Sequence, residues 1–170
     1  MTILIVAIVA VTIVSVQLLR EREIESWKNQ LANLSLVLAE QTSQTITSSQ
    51  IALDNIADRV HTLSIHNENQ LRVQAGSSMF FQLLRDTISG LPQVDVAGIV
   101  AANGDAINFT RSFPAPKINV SDRNYFKAQR DNPSLGLLIS MPLQNRIDGK
   151  WVFYLSRRLN DDAGKFMGLV

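Results

Sequence analysis

The stretch VDVAGIVAANGDAINFT, Val94 to Thr110, decides how the chain is read. Two runs rich in β-branched residues, Val94–Ala101 and Ala106–Thr110, flank Asn103-Gly104-Asp105. Asn-Gly supplies positive φ at little cost, which makes this a strong signal for a short antiparallel hairpin. Downstream the same grammar repeats. Leu137–Met141 and Lys150–Leu159 flank Asp148-Gly149, and Asp161-Asp162-Ala163-Gly164 turns the chain into a further strand beginning at Phe166. Between the hairpins, Ser121 to Ala128 reads as a short helix with Ser121 or Asp122 as N-cap, the acidic charge lying at the positive end of the dipole.

Upstream the period changes from two to 3.6. Ser77 to Ser89 places Phe80, Phe81, Leu84 and Ile88 on one side of a helix, which Gly90-Leu91-Pro92 stops. Before it, Arg20 to His66 contains neither Pro nor Gly. Apolar or small residues recur there at Ile24, Trp27, Leu31, Leu34, Leu38, Thr42, Ile46, Ser49, Leu53, Ile56, Val60 and Leu63, in steps of three and four with an extra four near Thr42. That is a heptad stripe with one stutter, and it predicts a long amphipathic helix of about 70 Å. The alternative is a helix pair broken near Thr45–Ser49. Gln41 to Gln50, rich in Ser, Thr and Gln, needs support from a partner or from the domain behind it to remain helical. His61 and His66, five apart, do not share a face as a metal pair would.

The first nineteen residues, MTILIVAIVAVTIVSVQLL, carry no charge, whereas the rest of the 170-residue chain carries all 16 basic and 15 acidic side chains. Nineteen helical residues span about 28 Å, close to the hydrocarbon thickness of a bilayer. The run is longer than the apolar part of a signal peptide, no basic residue precedes it, and Val16-Gln17-Leu18 is a poor cleavage context. Met1–Leu19 is therefore predicted to be a transmembrane helix whose partner is the lipid bilayer. Arg20, Arg22 and Lys28 follow the span, and the positive-inside tendency alone keeps the downstream side in the cytoplasm. The balanced charge argues against a nucleic-acid partner. Zero cysteines exclude disulfide scaffolds, thiolate metal sites and cysteine nucleophiles.

The expected architecture is α+β: residues 1–19 a membrane helix, 20–66 a long stalk or packing helix, and 67–170 a domain with an antiparallel sheet. Leu91 to Val170 resembles the extracytoplasmic Cache domain, a PAS-like sensor fold, and especially the first Cache module of membrane diguanylate cyclases. The stretches that carry the resemblance are LPQVDVAGIVAANGD, SDRNYFKAQRDNPSLGLLISMPLQNR and GKWVFYLSRRLNDDAGKFMGLV. The resemblance implies five strands, with the last returning to the middle of the sheet beside the first. It also implies that the region after the anchor lies outside the cytoplasm of a bacterial cell, in the periplasm or extracellular space. This outweighs the local charge count. Because that central strand has only begun at Val170, and because no second membrane span and no GG(D/E)EF stretch follows, the sequence reads as the N-terminal fragment of a receptor or of an interrupted gene.

No catalytic constellation and no cofactor motif is present: no Gly-rich phosphate loop, no Ser/His/Asp set, no metal-ligand spacing. Asp161-Asp162 is explained by a turn between strands. The strand Lys150–Arg158 alternates Trp151, Phe153, Leu155 and Arg157 with Val152, Tyr154, Ser156 and Arg158. One face is expected on the long helix and the other in a pocket beneath Asp122–Phe126. Arg123, Tyr125, Phe126, Arg146, Trp151, Tyr154 and Arg157 are the candidate ligand-binding residues, since an arginine fork suits a carboxylate and aromatic walls exclude water. Simple core packing accounts equally well for Tyr125, Phe126 and Trp151. The Arg-x-Trp-Tyr pattern of amino-acid-binding Cache receptors is absent, so no amino-acid ligand is implied. The leading expectation is the ligand-sensing part of a bacterial receptor that pairs as a homodimer, with a diguanylate cyclase as output, or a histidine kinase or chemoreceptor. The competing class is a membrane-tethered coiled-coil interaction protein.

Overall fold

The computed structural model describes the backbone of residues 2–170, and the side chains of residue 20 and residues 23–170. The expectation that Met1–Leu19 crosses a membrane rests on side chains outside that set. Among the described residues no helix is long and apolar enough to cross a membrane. The chain forms two compact units, Met1–Gln44 and Thr45–Val170.

Helix α1 runs from Thr2 to Thr62 without a break near Thr45. In the first unit Ser35 and Thr42 donate to the carbonyls of Leu31 and Leu38, each at 2.8 Å. In the second Ser49 donates to Thr45 O, also at 2.8 Å. Each hydroxyl finds a partner one turn back, so these residues stay within the helix instead of capping out of it. The helix ends earlier than the expected His66. Ser64 takes φ 55°, with Ser64 N–H donating to His61 O and Ile65 N–H to Val60 O. This is a Schellman-type stop in which the buried Ile65 makes the accompanying apolar contact.

A short helical turn follows. Asn67 caps α2, Glu68–Gln70, through its side chain, and α2 runs into a π-helical turn, Leu71–Ala75. Leu71 and Ala75 are fully buried. Helix α3, Ser78–Ile88, is capped by Ser77, whose Oγ accepts from Phe80 N–H at 3.2 Å.

The central sheet is antiparallel. It contains β1, Gly98–Ala101; β2, Ala106–Phe109; β7, Arg158–Asn160; and β8, Phe166–Leu169, in the order β2-β1-β8-β7. The last strand therefore lies between the first strand and its predecessor, as expected, but this sheet has four strands where five were expected. In the β1–β2 turn Gly104 adopts φ 91°, and a Cβ there would meet Ser121 N at 2.6 Å. Two small ladders complete the β structure: β3, Leu138–Ile139, with β6, Leu155–Ser156, and β4, Leu143–Gln144, with β5, Trp151–Val152. The single strand expected over Lys150–Leu159 is thus split into β5, β6 and β7, each with a different partner. Likewise the expected strand Val94–Ala101 begins only at Gly98.

Helix α4, Asn124–Asp131, packs on one face of the sheet. Its N-cap is Arg123, with no side-chain capping bond. The expected caps are committed elsewhere: Asp122 pairs with Arg146, and Ser121 Oγ donates to Asn119 Oδ1 at 2.6 Å. Two apolar clusters occupy the two sides of the sheet. Ile56, Val60, Phe80 and Leu84 pack with Ile99, Leu159 and Met167 on one side, and Tyr125 and Phe126 pack with Val100, Phe166 and Leu169 on the other.

Candidate functional site

The second unit contains a largely apolar cavity of about 410 Å³ at one end of the sheet. Its walls come from α1 (Thr45, Ser49, Leu53), the segment Gln93–Gly98 leading into β1, the start of α4, and β5 with the residues around it. Strand alternation sets the lining. Tyr154 packs with the α4-side cluster and Leu155 with the α1-side cluster, as period two dictates. Trp151 and Phe153 line the cavity while remaining 69% and 54% exposed. The two-residue ladder β4–β5 holds only the backbone beneath Trp151.

Five of the seven candidate residues line this cavity: Arg123, Tyr125, Arg146, Trp151 and Tyr154. Phe126 does not. It is 1% exposed and meets Phe166 edge-on, ring centroids 5.6 Å apart. Arg157 does not either; its guanidinium pairs with Asp54 on α1.

The two arginines at the cavity differ in what they have left to offer. Arg146 donates to Asp122 and to the carbonyl of Asn119. Partial desolvation pushes the Asp122 carboxyl upward, but the hydrogen bond and charge of Arg146, with the neighbouring Arg123, outweigh it and hold that carboxyl below its ordinary range. Arg146 is therefore a neutralised strut between the β4–β5 turn and the loop before α4. Among the described residues the Arg123 side chain makes one hydrogen bond, to Gln144 O at 3.1 Å, and no ion pair. Most of its fork remains for an anion.

Beside it Tyr125 and Tyr154 stack with ring centroids 5.0 Å apart. Burial pushes both hydroxyls above the usual phenol range, and the nearby Tyr154 adds to the effect on Tyr125. Both are neutral donor–acceptors at any physiological pH. Arg111 joins Asp95, a wall residue in the segment before β1, to Asp148, in the β4–β5 turn. The contribution of α1 and of Gln93–Gly98 to the walls was not read from the sequence. The only local signal is the run of small hydroxyls, Thr45 and Ser49, inside an otherwise apolar stripe.

This is the wall chemistry of a small-molecule pocket: a partly engaged guanidinium, two neutral phenols and apolar surround. Among the described residues no group of acidic or imidazole side chains is placed to hold a metal ion. No family model matches the chain, and no curated protein matches it. Among solved structures it is similar to the extracellular domain of a proposed histidine kinase, rpHK1S-Z16, at 36% identity and a TM-score of 0.66. The match covers 81% of this chain and 53% of that one, so the chain spans about half of the solved domain.

Proposed function

We propose that this chain is the ligand-sensing part of a membrane-anchored bacterial receptor, with a PAS-like Cache fold displayed outside the cytoplasm. The observation that carries the reading is Arg123 standing with free donors beside the Tyr125–Tyr154 pair in the wall of an apolar cavity. The likeness to an extracellular domain supports the placement outside the cytoplasm, and the uncharged Met1–Leu19 supports the anchor. For the output of the parent receptor, the solved relative favours a histidine kinase, while the sequence resemblance favours a diguanylate cyclase. The ligand is a small carboxylate with an apolar body, its charge on Arg123 and its body against the tyrosine pair. Binding shifts the receptor only if it favours one arrangement of helix and sheet over another.

The test is a thermal-melt screen of the full chain in detergent micelles against small mono- and dicarboxylates. A ligand at about 100 times its Kd adds about 2.7 kcal/mol to stability. A carboxylate that raises the melting temperature of the wild type and not of Arg123→Ala supports the site. A carboxylate library that shifts neither protein, or shifts both equally, overturns it.

A further inference from the structure

We infer that Asn145 is a further binding residue of the cavity, whose side-chain amide selects ligands with an uncharged oxygen acceptor on the carbon beside the carboxylate. This role rests on the carboxylate-sensor reading, which places the carboxylate on Arg123, and it adds the group that chooses among carboxylates.

Asn145 follows β4 and is held by its own turn. Its backbone N–H donates to Lys150 O and its carbonyl accepts from Gly149 N–H, each at 2.9 Å. Its side-chain Oδ1 accepts from Ile147 N–H at 2.8 Å. That bond settles which end of the amide is which, because an N–H needs an oxygen opposite it. Nδ2 is left as a donor, and among the described residues it has no hydrogen-bond partner.

Asn145 is 6% exposed and stands in the cavity wall. Among the described residues the one fully sealed side-chain atom without a partner is Gln129 Oε1. Asn145 Nδ2 is therefore not sealed, and the space it faces is the cavity. A donor on so buried a residue costs free energy until something accepts from it. The hydroxyls of Tyr125 and Tyr154 both donate and accept, so they suit a ligand oxygen or a ligand N–H alike. Nδ2 only donates, and so dictates an acceptor opposite it.

The neighbouring charges say what that acceptor is. Arg123 Nη2 donates to Gln144 O at 3.1 Å, the oxygen of the peptide bond that leads into Asn145. The fork and the amide thus flank one peptide group, and a carboxylate on Arg123 brings its next carbon toward Nδ2. A second carboxylate there would lack a counterion, since the other wall cation, Arg146, is engaged by Asp122. An ammonium there would face donors, and among the described residues the one carboxylate of the wall, Asp95, is paired with Arg111. A carbonyl or hydroxyl oxygen accepts from Nδ2 without adding charge. The ligand class is therefore an α-oxo or α-hydroxy acid with an apolar body.

The test is isothermal titration calorimetry of the full chain in detergent micelles. The probes share one aromatic body: phenylpyruvate, phenyllactate, phenylpropionate and phenylalanine. The wild type should bind phenylpyruvate or phenyllactate about 10-fold more tightly than phenylpropionate, and phenylalanine most weakly. Asn145→Ser keeps an oxygen near Ile147 N–H but loses the donor, so the preference over phenylpropionate should shrink to about 2-fold or less. Asn145→Asp retains the acceptor for Ile147 N–H and exchanges the donor for a carboxylate oxygen. In that variant phenylalanine should become the tightest of the probes at about pH 8, its ammonium now meeting a charged acceptor. The wild-type comparison does not depend on either variant folding. Equal wild-type affinity for phenylpyruvate, phenyllactate and phenylpropionate overturns the assignment of Asn145 and leaves the carboxylate site standing. A preference that survives both substitutions, or tightest wild-type binding of phenylalanine, does the same. No binding of any probe also overturns it, and the Arg123-dependent melt screen then tells whether the carboxylate reading falls with it.

Discussion

Tyr125 in α4 and Tyr154 beside β6 lie with ring centroids 5.0 Å apart and planes inclined by 27°. This contact couples the helix that carries Arg123 at its N-cap to the strand segment that forms the opposite wall of the cavity. Tyr125 is 6% exposed, so Tyr125→Ala removes a buried ring and should cost about 3–5 kcal/mol in a urea melt. Tyr154 is partly buried, and Tyr154→Ala should cost less. Because the two rings touch, the double variant should cost less than the sum of the single ones by about 0.5–1.5 kcal/mol. Strict additivity in that cycle would mean the rings do not interact.

Gly168 in β8 lies against β1 so closely that a Cβ would stand 2.2 Å from the carbonyl oxygen of Val100. That neighbour is backbone in the middle of the sheet and cannot swing aside. Gly168→Ala should therefore separate β8 from β1 and cost at least about 3 kcal/mol, within the range set by overpacking and ladder loss. Gly136 has nothing within 4 Å of its missing Cβ, and Gly136→Ala serves as the neutral comparison. Equal urea midpoints for the two variants would contradict the close approach.

Local chemistry was legible in the sequence; long-range choice of partner was not. Asn103-Gly104-Asp105 announces its hairpin because the turn is built from its own atoms, with Asp105 N–H donating to Asn103 Oδ1 at 3.1 Å. The long helix was equally plain from its stripe. The alternation in Lys150–Leu159 predicts which face each side chain takes, yet it cannot say that β5 pairs with β4, β6 with β3 and β7 with β8. Those switches are set by elements up to eighteen residues away, as in Leu138 opposite Ser156, or across the Asp161–Gly164 turn. The same limit applies to the site. Residue type alone points to Tyr125 and Tyr154, and the structure brings them together. Arg157, equally plausible by type, turns instead to Asp54 on a helix a hundred residues earlier. The turn at Glu68–Gln70 did have a signal, Asn67 followed three residues later by Gln70, whose N–H bonds to Asn67 Oδ1.

Gln129 in α4 is fully buried, with Nε2 donating to Gly136 O at 3.0 Å and Ser156 O at 2.8 Å. Both contacts are carbonyls, so the amide orientation is determined, and among the described residues Oε1 has no partner. Gln129→Leu leaves two buried carbonyls unmet but removes the orphan acceptor, for a cost of about 1–2 kcal/mol. Gln129→Glu sets a carboxylate against the same two carbonyls and should cost about 3 kcal/mol or more at pH 8. Protonation lets that side chain donate one of the lost bonds, so its deficit should shrink as the pH is lowered to about 5. Urea melts of both variants at the two pH values decide this; a Gln129→Glu deficit that does not change with pH sinks it.

Asp148 and Asp122 connect the cavity walls to acid stability. The hydrogen bond from Arg111 holds the Asp148 carboxyl below its ordinary value of 3.8, against a smaller opposing desolvation. For Asp122 the desolvation is the largest influence, but Arg146 prevails and the direction is the same. A carboxyl whose folded pKa lies below its unfolded one binds its proton more readily when unfolded. Its contribution is therefore complete above the unfolded value and is lost as the pH falls through the folded one. The melting temperature should be nearly level from about pH 7 to 5 on this account and fall below about pH 4. Arg111→Gln removes the partner of Asp148, and Arg146→Gln that of Asp122, so each variant should melt lower near pH 6 and show a shallower acid limb. The Asp122 carboxylate is solvent-exposed and that of Asp148 partly so, which screens the pairs, so 1 M salt should flatten the wild-type limb in the same sense. An acid limb as steep in Arg111→Gln and Arg146→Gln as in the wild type would assign the pH dependence to other groups, Asp105 and Asp131 foremost, whose carboxyls are also held low by hydrogen bonds from Asn119 and Arg130.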